Sequence, residues 1–210
     1  MISHELLSVV DVDVLALRFD REINQVVLGL TRRRTEPFLG ELALPGVVLM
    51  SGERLTTAAR RALTRLQGSP PPIALGQIRT FDEPMRDPRG PALSIAMWAV
   101  YSPETRFEHE TTFTDLPPLG FDHAAIIGTC QPHVASLLWR NLSFSRGLTG
   151  DQFSATQAAG LSESLTGLTP HRANLNRTLS GIDTLMPIDT TTAIGRGRPA
   201  KIWAWQGEMQ

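Results

Sequence analysis

The segment from position 44 to position 68 contains residue types that could form a metal-dependent phosphate site. Leu-Pro-Gly at 44–46 precedes a loop that ends in Glu53, and Arg61 and Gly68 follow. A loop carboxylate and further carboxylates on one face of the next helix would bind Mg²⁺ or Mn²⁺, because these hard ions need several oxygen ligands. The bound metal would neutralise a diphosphate and activate water for hydrolysis.

This segment resembles the Nudix box, whose helical glutamates hold metal ions against a nucleoside-diphosphate-linked substrate. In register with the box, the chain keeps Glu53, Arg61, Leu63 and Gly68. Val47 replaces the first glycine of the box, and its three glutamates fall on Ala62, Arg65 and Leu66. One remaining carboxylate cannot assemble a metal cluster, and Arg65 would repel a cation. The resemblance implies a Nudix scaffold without metal-dependent hydrolysis, catalytic residues or cofactor, with Glu53 as the residual metal candidate.

A second segment places basic residues on a turn. Arg-Asp-Pro-Arg-Gly occupies positions 86–90. The guanidinium groups of Arg86 and Arg89 can each bind phosphate through two parallel hydrogen bonds, and the arginine run at 32–34 offers the same chemistry. Asp87 can accept from ribose hydroxyls or orient a neighbouring arginine. Taken alone, these residues are more typical of a surface turn closed by ion pairs.

This turn, with Gln-Ile-Arg-Thr-Phe at 77–81 and Glu-Pro-Phe-Leu-Gly at 36–40, resembles the Nudix-related transcriptional regulators of NAD metabolism, the NrtR family. These regulators join an N-terminal Nudix-like sensor to a C-terminal winged helix. The resemblance spans nearly the whole chain and implies a pocket that binds ADP-ribose, or a related dinucleotide fragment, without cleaving it. The implied ligand-binding residues are Arg32, Arg34, Phe38, Arg86, Asp87 and Arg89.

The C-terminal region has a local excess of positive charge in a chain that is nearly neutral overall. The chain has 20 basic and 21 acidic residues, a net charge of −1. Residues 169–207 contain five basic residues (four arginines and the only lysine, Lys201) and two acidic ones, which gives 5 − 2 = +3. Because the distribution of charge matters more than its sum, near-neutrality does not exclude a nucleic-acid partner.

A helix expected to begin at Thr169 and Pro170 would present amide and guanidinium groups on its outer face. Asn pairs well with adenine edges, while Arg binds guanine or phosphate. Gly-Arg-Gly-Arg-Pro-Ala-Lys at 195–201 is similar to the wing segment of the NrtR family, and its glycines let the backbone approach DNA closely. A polar face that is merely solvated is the alternative. The candidate DNA-binding residues are Thr169, Arg172, Asn174, Asn176, Arg177, Arg196, Arg198 and Lys201.

Hydrophobic periodicity predicts the elements that must position these residues. Strands are expected at 8–19, 26–30, 73–81 and 92–101, and helices at 53–67 and 122–142, with a kink or break at Pro132. Residues 144–150 are expected to be a linker, followed by helix, helix, strand and strand, with Ser154 and Gln157 as a capping box. The predicted fold class is α+β: a Nudix-like α/β/α sandwich with a mixed sheet, residues 1–145, then a small winged helix-turn-helix domain, residues 150–210.

Composition excludes several classes of protein. Hydrophobic residues make up 41% and charged residues 20% of the chain, which is typical of a globular protein and not of a disordered or fibrous one. A single cysteine excludes an intramolecular disulfide framework and favours a reducing compartment. Asp11 and Asp13 interrupt the N-terminal apolar stretch, which argues against a signal peptide, and no apolar run is long enough to span a bilayer. We expect a cytoplasmic protein with no membrane partner.

Together, these features and the resemblance imply a ligand-responsive transcriptional repressor of NAD-biosynthesis genes. Its partners would be double-stranded operator DNA and an ADP-ribose-like effector. One winged helix makes few contacts, so useful affinity would require a homodimer on a palindromic site. One alternative is a Nudix hydrolase of ADP-ribose or another nucleoside diphosphate derivative, with a rearranged metal site. The other is a Nudix-like regulator of sugar catabolism, which the gene neighbourhood would distinguish.

Overall fold

A computed structural model describes residues 8–188 and 201–207 of the chain. The strands are β1 Val9–Asp20, β2 Gln25–Arg32, β3 Leu42–Ala43, β4 Gly46–Val48, β5 Ala74–Phe81, β6 Ala92–Val100, β7 His109–Thr112, β8 Gln152–Ser154, β9 Leu185–Ile188 and β10 Ile202–Trp205. The helices are α1 Leu55–Leu63, α2 His123–Leu137, α3 Leu142–Thr149, α4 Ala155–Thr166 and α5 Arg172–Ser180. No helix within the described ranges is long and apolar enough to cross a membrane.

Strand β1 is the centre of a mixed seven-stranded sheet. The order is β3-β2-β1-β6-β5, with β4 also paired to β1 and β7 to β2. β1 and β6 are parallel, whereas β1 with β2 and β5 with β6 are antiparallel. The strands expected at 8–19, 26–30, 73–81 and 92–101 are therefore confirmed.

Both faces of β1 are buried, because alternate residues of a strand point to opposite sides. Leu15, Leu17 and Phe19 belong to a core cluster that also contains residues of α2, α3 and α4. Val14 and Ala16 belong to a second cluster, with α1. The helices thus cover the sheet on both faces, which confirms the α/β/α sandwich and the α+β class.

The C-terminal region is built on a small antiparallel sheet in the order β8-β10-β9. Helix α4 begins with the predicted capping box, in which Ser154 and Gln157 exchange side-chain and backbone hydrogen bonds. The core between this sheet and the two helices contains Phe153, Ala158, Leu175, Leu179, Leu185, Trp203 and Trp205. The two tryptophans pack in this core, as their shared strand face predicts.

Several sequence expectations were wrong. Residues 144–150 are not a linker, because α3 covers most of them and Phe144 and Leu148 are fully buried in the core of the sandwich. Helix α2 runs through Pro132 and ends at Leu137, five residues later. The N-cap position of α5 is His171, and Thr169 instead donates a hydrogen bond to the carboxylate of Glu163.

Candidate functional site

A cavity of about 670 Å³ opens beside the N-terminal half of β1. Its wall includes six arginines and four carboxylates, and 6 − 4 gives a net charge of +2. They are Arg32, Arg33, Arg34, Arg65, Arg86 and Arg89, with Asp11, Asp13, Asp87 and Glu108. The cavity is therefore suited to an anionic ligand that also carries hydrogen-bond donors.

Arg86 is buried at the centre of a carboxylate cluster, although its sequence context suggested an open phosphate site. Its guanidinium donates to both carboxylate oxygens of Asp122, at 2.8 and 3.1 Å. It also lies 3.6 Å from Asp13 and 4.0 Å from Asp11. Burial, followed by repulsion from Asp13, raises the pKa of Asp11 above its ordinary value. Arg86 therefore balances the acidic charge at the base of the cavity.

Asp13 joins the cavity to the Leu-Pro-Gly motif. The Ser94 hydroxyl donates to Asp13 at 2.6 Å, and Nε2 of His123 lies 3.6 Å from the same carboxylate. A Cβ on Gly46 would lie 2.1 Å from Asp13 Oδ1, so only glycine fits at this position. The backbone N–H of Leu44 donates to Nδ1 of His123 at 2.9 Å. Burial lowers the pKa of His123, which keeps Nδ1 available as an acceptor.

Arg89 and Asp87 form an ion pair at the rim of the cavity. The Arg89 Nε donates to Asp87 Oδ1 at 2.9 Å, and the Arg89 backbone N–H donates to the same oxygen at 2.9 Å. These hydrogen bonds lower the pKa of Asp87. The side chain of Arg89 is 51% exposed, so part of its guanidinium faces solvent. Asp87 thus orients Arg89, one of the two roles expected for it.

Phe121 is an aromatic part of the cavity wall. The guanidinium of Arg33 lies 4.5 Å from the centre of the Phe121 ring, and that of Arg89 lies 5.5 Å from it. Arg33 is held by hydrogen bonds to the carbonyl oxygens of Pro37 and Thr35. Phe38 does not line the cavity. Its ring packs edge-on against Phe121, with 4.8 Å between ring centres.

The segment that resembles the Nudix box packs on one face of the sheet and does not assemble a cluster of carboxylates. Arg61 donates to both oxygens of Glu53, at 3.0 and 2.7 Å, and this lowers the pKa of Glu53. Ala62 and Leu66 are buried in the core beneath α1. Among residues 8–188 and 201–207, no group of three or more His, Cys, Asp or Glu side chains is arranged to hold a metal ion.

Helix α5 is the candidate DNA-facing surface. Leu175 and Leu179 are buried on one side of the helix, whereas Arg172, Asn174 and Arg177 are exposed. Asn176 is half-buried. The division into a buried and an outward face is therefore as predicted, and its contact with DNA stays a prediction.

The wing candidates are only partly within the described residues. Lys201 is exposed, and its ammonium lies 4.0 Å from the centre of the Trp203 ring. Arg196 and Arg198 lie outside the described ranges.

The structure therefore brings five of the six expected ligand residues to one cavity, Phe38 being the exception. Sequence reasoning missed Asp13, Phe121, Asp122 and His123 as parts of this site. One signal was present: the acidic residues at 11 and 13 alternate with valines in the first half of β1. The Arg86–Asp122 pair left no such signal, because its partners are 36 residues apart.

Comparison with known proteins gives a relative for part of the chain and a fold for nearly all of it. No family model matches the chain. An ADP-ribose pyrophosphatase from Methanocaldococcus jannaschii is 34% identical over 105 residues, which cover 47% of this chain and 62% of that protein. The chain thus matches less than two thirds of the length of this relative.

Two solved structures of NrtR from Shewanella oneidensis are similar to this chain. The protein complexed with a 27mer DNA has a TM-score of 0.74 at 23% identity, covering 94% of this chain and 93% of that one. Its NUDIX domain complexed with ADP ribose has a TM-score of 0.52 at 21% identity, covering 64% of this chain and 93% of that domain. At these identities, the likeness confirms the NrtR resemblance at the level of the fold.

Proposed function

We propose that this protein is a ligand-responsive transcriptional repressor. Residues 1–145 form a Nudix-like sensor for ADP-ribose or a related NAD-derived metabolite. Residues 150–210 form a winged helix-turn-helix domain that binds operator DNA of NAD-biosynthesis genes. The protein acts in the cytoplasm as a homodimer on a palindromic site, because one helix and one wing make too few contacts for useful affinity.

One observation carries the proposal: a cavity rich in guanidinium and carboxylate groups and a helix with an exposed basic face occur on one chain. The same combination of folds occurs in NrtR of Shewanella oneidensis, whose structures include a DNA complex and an ADP ribose complex of its NUDIX domain. This likeness supports the proposal without identifying the ligand or the operator.

The cavity chemistry fits a nucleoside diphosphate sugar. Its diphosphate would accept hydrogen bonds from the arginines that reach the cavity from the segment after β2 and from Arg89 at the rim. Ribose hydroxyls would donate to cavity carboxylates such as Asp11. The Phe121 ring offers an apolar surface for the remainder of the ligand. A simple phosphate would leave most of these groups without partners.

Helix α5 fits the role of a recognition helix. Its exposed Asn174 and Arg177 lie away from the side on which Leu175 and Leu179 anchor the helix to the domain, and the exposed Arg172 lies in its first turn. Thr169, Lys201 and the two arginines of the segment 195–201 would contact the DNA backbone beside it. Arginine contacts with phosphate make such binding salt-dependent.

Metal-dependent hydrolysis is not part of the proposed function, because Ala62, Arg65 and Leu66 occupy the positions of the Nudix glutamates. The relative named ADP-ribose pyrophosphatase makes hydrolysis the second candidate. Release of AMP from ADP-ribose with Mg²⁺ separates the two. We expect no release above that of a Glu53→Gln variant. Mg²⁺-dependent release that the variant loses would establish the hydrolase.

An electrophoretic mobility shift with the DNA upstream of NAD-biosynthesis genes tests the regulator. We expect a shifted band that a scrambled duplex does not give, and calorimetry should detect ADP-ribose binding to the free protein. No shift at low salt would contradict the DNA-binding half of the proposal. Absence of heat with millimolar ADP-ribose would contradict the sensor half.

A further inference from the structure

Helix α4 belongs to two cores at once. Leu161 and Leu165 are fully buried in the cluster formed with α2, α3 and the sheet of the sandwich. Ala158, on the same helix, is fully buried in the C-terminal core with Leu175 and Leu179 of α5. Because packed cores resist small deformations, a displacement of α4 against the sandwich must also displace the elements packed around Ala158.

Two elements that line the cavity also hold α4. Helix α2 follows Asp122 and begins with His123 beside the cavity, and its Gln131 Nε2 donates to the Leu165 carbonyl oxygen at 3.2 Å. Strand β2 leads directly into the arginine run of the cavity. Near the start of β2, the Val26 N–H donates to the Ser164 hydroxyl at 2.9 Å. Helix α2 and strand β2 therefore each contribute to the cavity wall and also hydrogen-bond to α4.

The turn between β1 and β2 touches α4 as well. A Cβ added at Gly160 would overlap the side-chain amide of Asn24, so this side chain packs directly against the helix. The turn is therefore a further contact between the β1–β2 hairpin and α4.

On the other side, α4 determines the position of α5. The connection between the helices is held by the hydrogen bond from Thr169 Oγ1 to Glu163 Oε1, at 2.7 Å. Leu175 and Leu179 of α5 share the core that contains Ala158. The exposed face of α5, with Arg172 and Arg177, therefore follows the orientation of α4.

We propose that the hydrogen-bonded contact of α4 with α2 and β2, made by Gln131 and Ser164, transmits ligand binding in the cavity to the DNA-facing helix. This inference rests on the proposed function and adds a route to it. The ligand engages groups at the start of α2 and the end of β2, and the α4 contact converts their shift into a new orientation of α5. By linkage, the same contact makes DNA alter the affinity for the ligand by an equal factor.

The test uses the full chain with the single variants Gln131→Ala and Ser164→Ala and the double variant. Fluorescence anisotropy gives the Kd for operator DNA with and without saturating ADP-ribose, and calorimetry gives the Kd for ADP-ribose alone. For wild type, ADP-ribose should change the DNA Kd by about 5- to 150-fold. In the double variant, the logarithm of this Kd ratio should be less than half of its wild-type value. The Kd for DNA alone and the Kd for ADP-ribose alone should each stay within about threefold of wild type.

His133→Ala provides the matched control, because His133 is exposed on the same helix α2, two residues from Gln131. Its coupling should equal that of wild type. Circular dichroism and thermal unfolding check that each variant is folded.

Three outcomes would overturn the relay. Coupling that persists unchanged in the double variant refutes it while leaving the proposed function intact. Equal loss in the double variant and in His133→Ala would show a nonspecific effect and also refutes it. A wild-type protein that binds no operator DNA, or whose DNA affinity ignores ADP-ribose, refutes the proposed function and the relay together.

Discussion

Arg86 of the cavity and the arginines of α5 are in opposite environments. The side chain of Arg86 is 4% exposed and bound to Asp122, with Asp11 and Asp13 close by. Arg172 and Arg177 are exposed, and neither makes a side-chain hydrogen bond or ion pair within residues 8–188 and 201–207. Arginine thus supplies a buried charge held by carboxylates in one region and a solvent-exposed charge in the other.

Under the proposed function, the difference suits the partner proposed for each region. A guanidinium held in place by carboxylates loses little freedom when a ligand binds, and its fixed position selects ligand shape. A guanidinium on a free stem adapts to phosphates along any duplex, and its contribution falls with salt. Selectivity for a small molecule and affinity for a polyanion therefore require different surroundings for the same side chain.

The largest expected effect separates the two regions. Trp203→Ala should lower the free energy of unfolding of the C-terminal core by about 3–5 kcal/mol, because it leaves a large cavity beside Phe153 and Trp205. DNA binding should be lost. ADP-ribose affinity, measured by calorimetry, should remain, since the pocket lies in the sandwich. A parallel loss of ligand affinity would show that the two regions fold as one unit and would weaken the comparison.

The next effect tests whether Arg86 is structural. Arg86→Met should lower the free energy of unfolding by about 3–5 kcal/mol, because it leaves carboxylates buried without their cation. Arg89→Met, at a side chain that is 51% exposed, should cost less than about 1 kcal/mol. Urea denaturation of the two variants measures both. If both variants lost the same small amount of unfolding free energy, Arg86 would contribute no more to stability than Arg89 at the rim.

Removing the exposed arginines of α5 should weaken DNA binding without lowering the free energy of unfolding. Arg172→Ala and Arg177→Ala should each weaken DNA binding by about 1–3 kcal/mol and, for a phosphate contact, reduce the salt slope by about one. Arg54→Ala, at an exposed position before α1, should leave both unchanged. Anisotropy titrations at several salt concentrations measure both quantities. A DNA affinity unaffected in all three variants would remove α5 from the DNA-binding surface.

The smallest effect concerns pH. Burial lowers the pKa of His123 below its ordinary 6.5, so the unfolded chain takes up the proton first as pH falls. Folding stability should therefore decline below about pH 6.5. His123→Gln should show a shallower decline, because glutamine can still accept from the Leu44 N–H without titrating. Denaturation curves between pH 7.5 and 5.5 compare the two. Parallel declines would assign the pH dependence to other groups.

Local sequence patterns were sufficient to predict most strands and helices of the sandwich and the outer face of α5. The apolar run of β1 and the three- and four-residue spacing in α1 are properties of short segments, so they can be recognised without tertiary information. The capping box at Ser154 and Gln157 is equally local. The sequence therefore predicted the main strands of the sandwich, the outer face of α5 and the grouping of arginines that surrounds the cavity.

The errors concern features that depend on distant residues. Residues 144–150 look like a linker because five of the seven are polar or glycine. Phe144 and Leu148 nevertheless form one face of α3 when a core is present. The Arg86–Asp122 pair and the Ser94–Asp13 hydrogen bond join positions 36 and 81 residues apart. Such contacts cannot be inferred from the spacing of neighbouring residues. The sequence therefore suggests that Arg86 binds phosphate, whereas in the structure it neutralises a cluster of carboxylates.

The most direct test of the account is reciprocal coupling between the two sites in the full-length protein. Anisotropy gives the DNA Kd with and without ADP-ribose, and calorimetry gives the ADP-ribose Kd with and without operator DNA. We predict that both ratios are equal and at least about fivefold. Ratios of one in both directions, with each partner binding alone, would contradict the account by showing two independent sites on one chain.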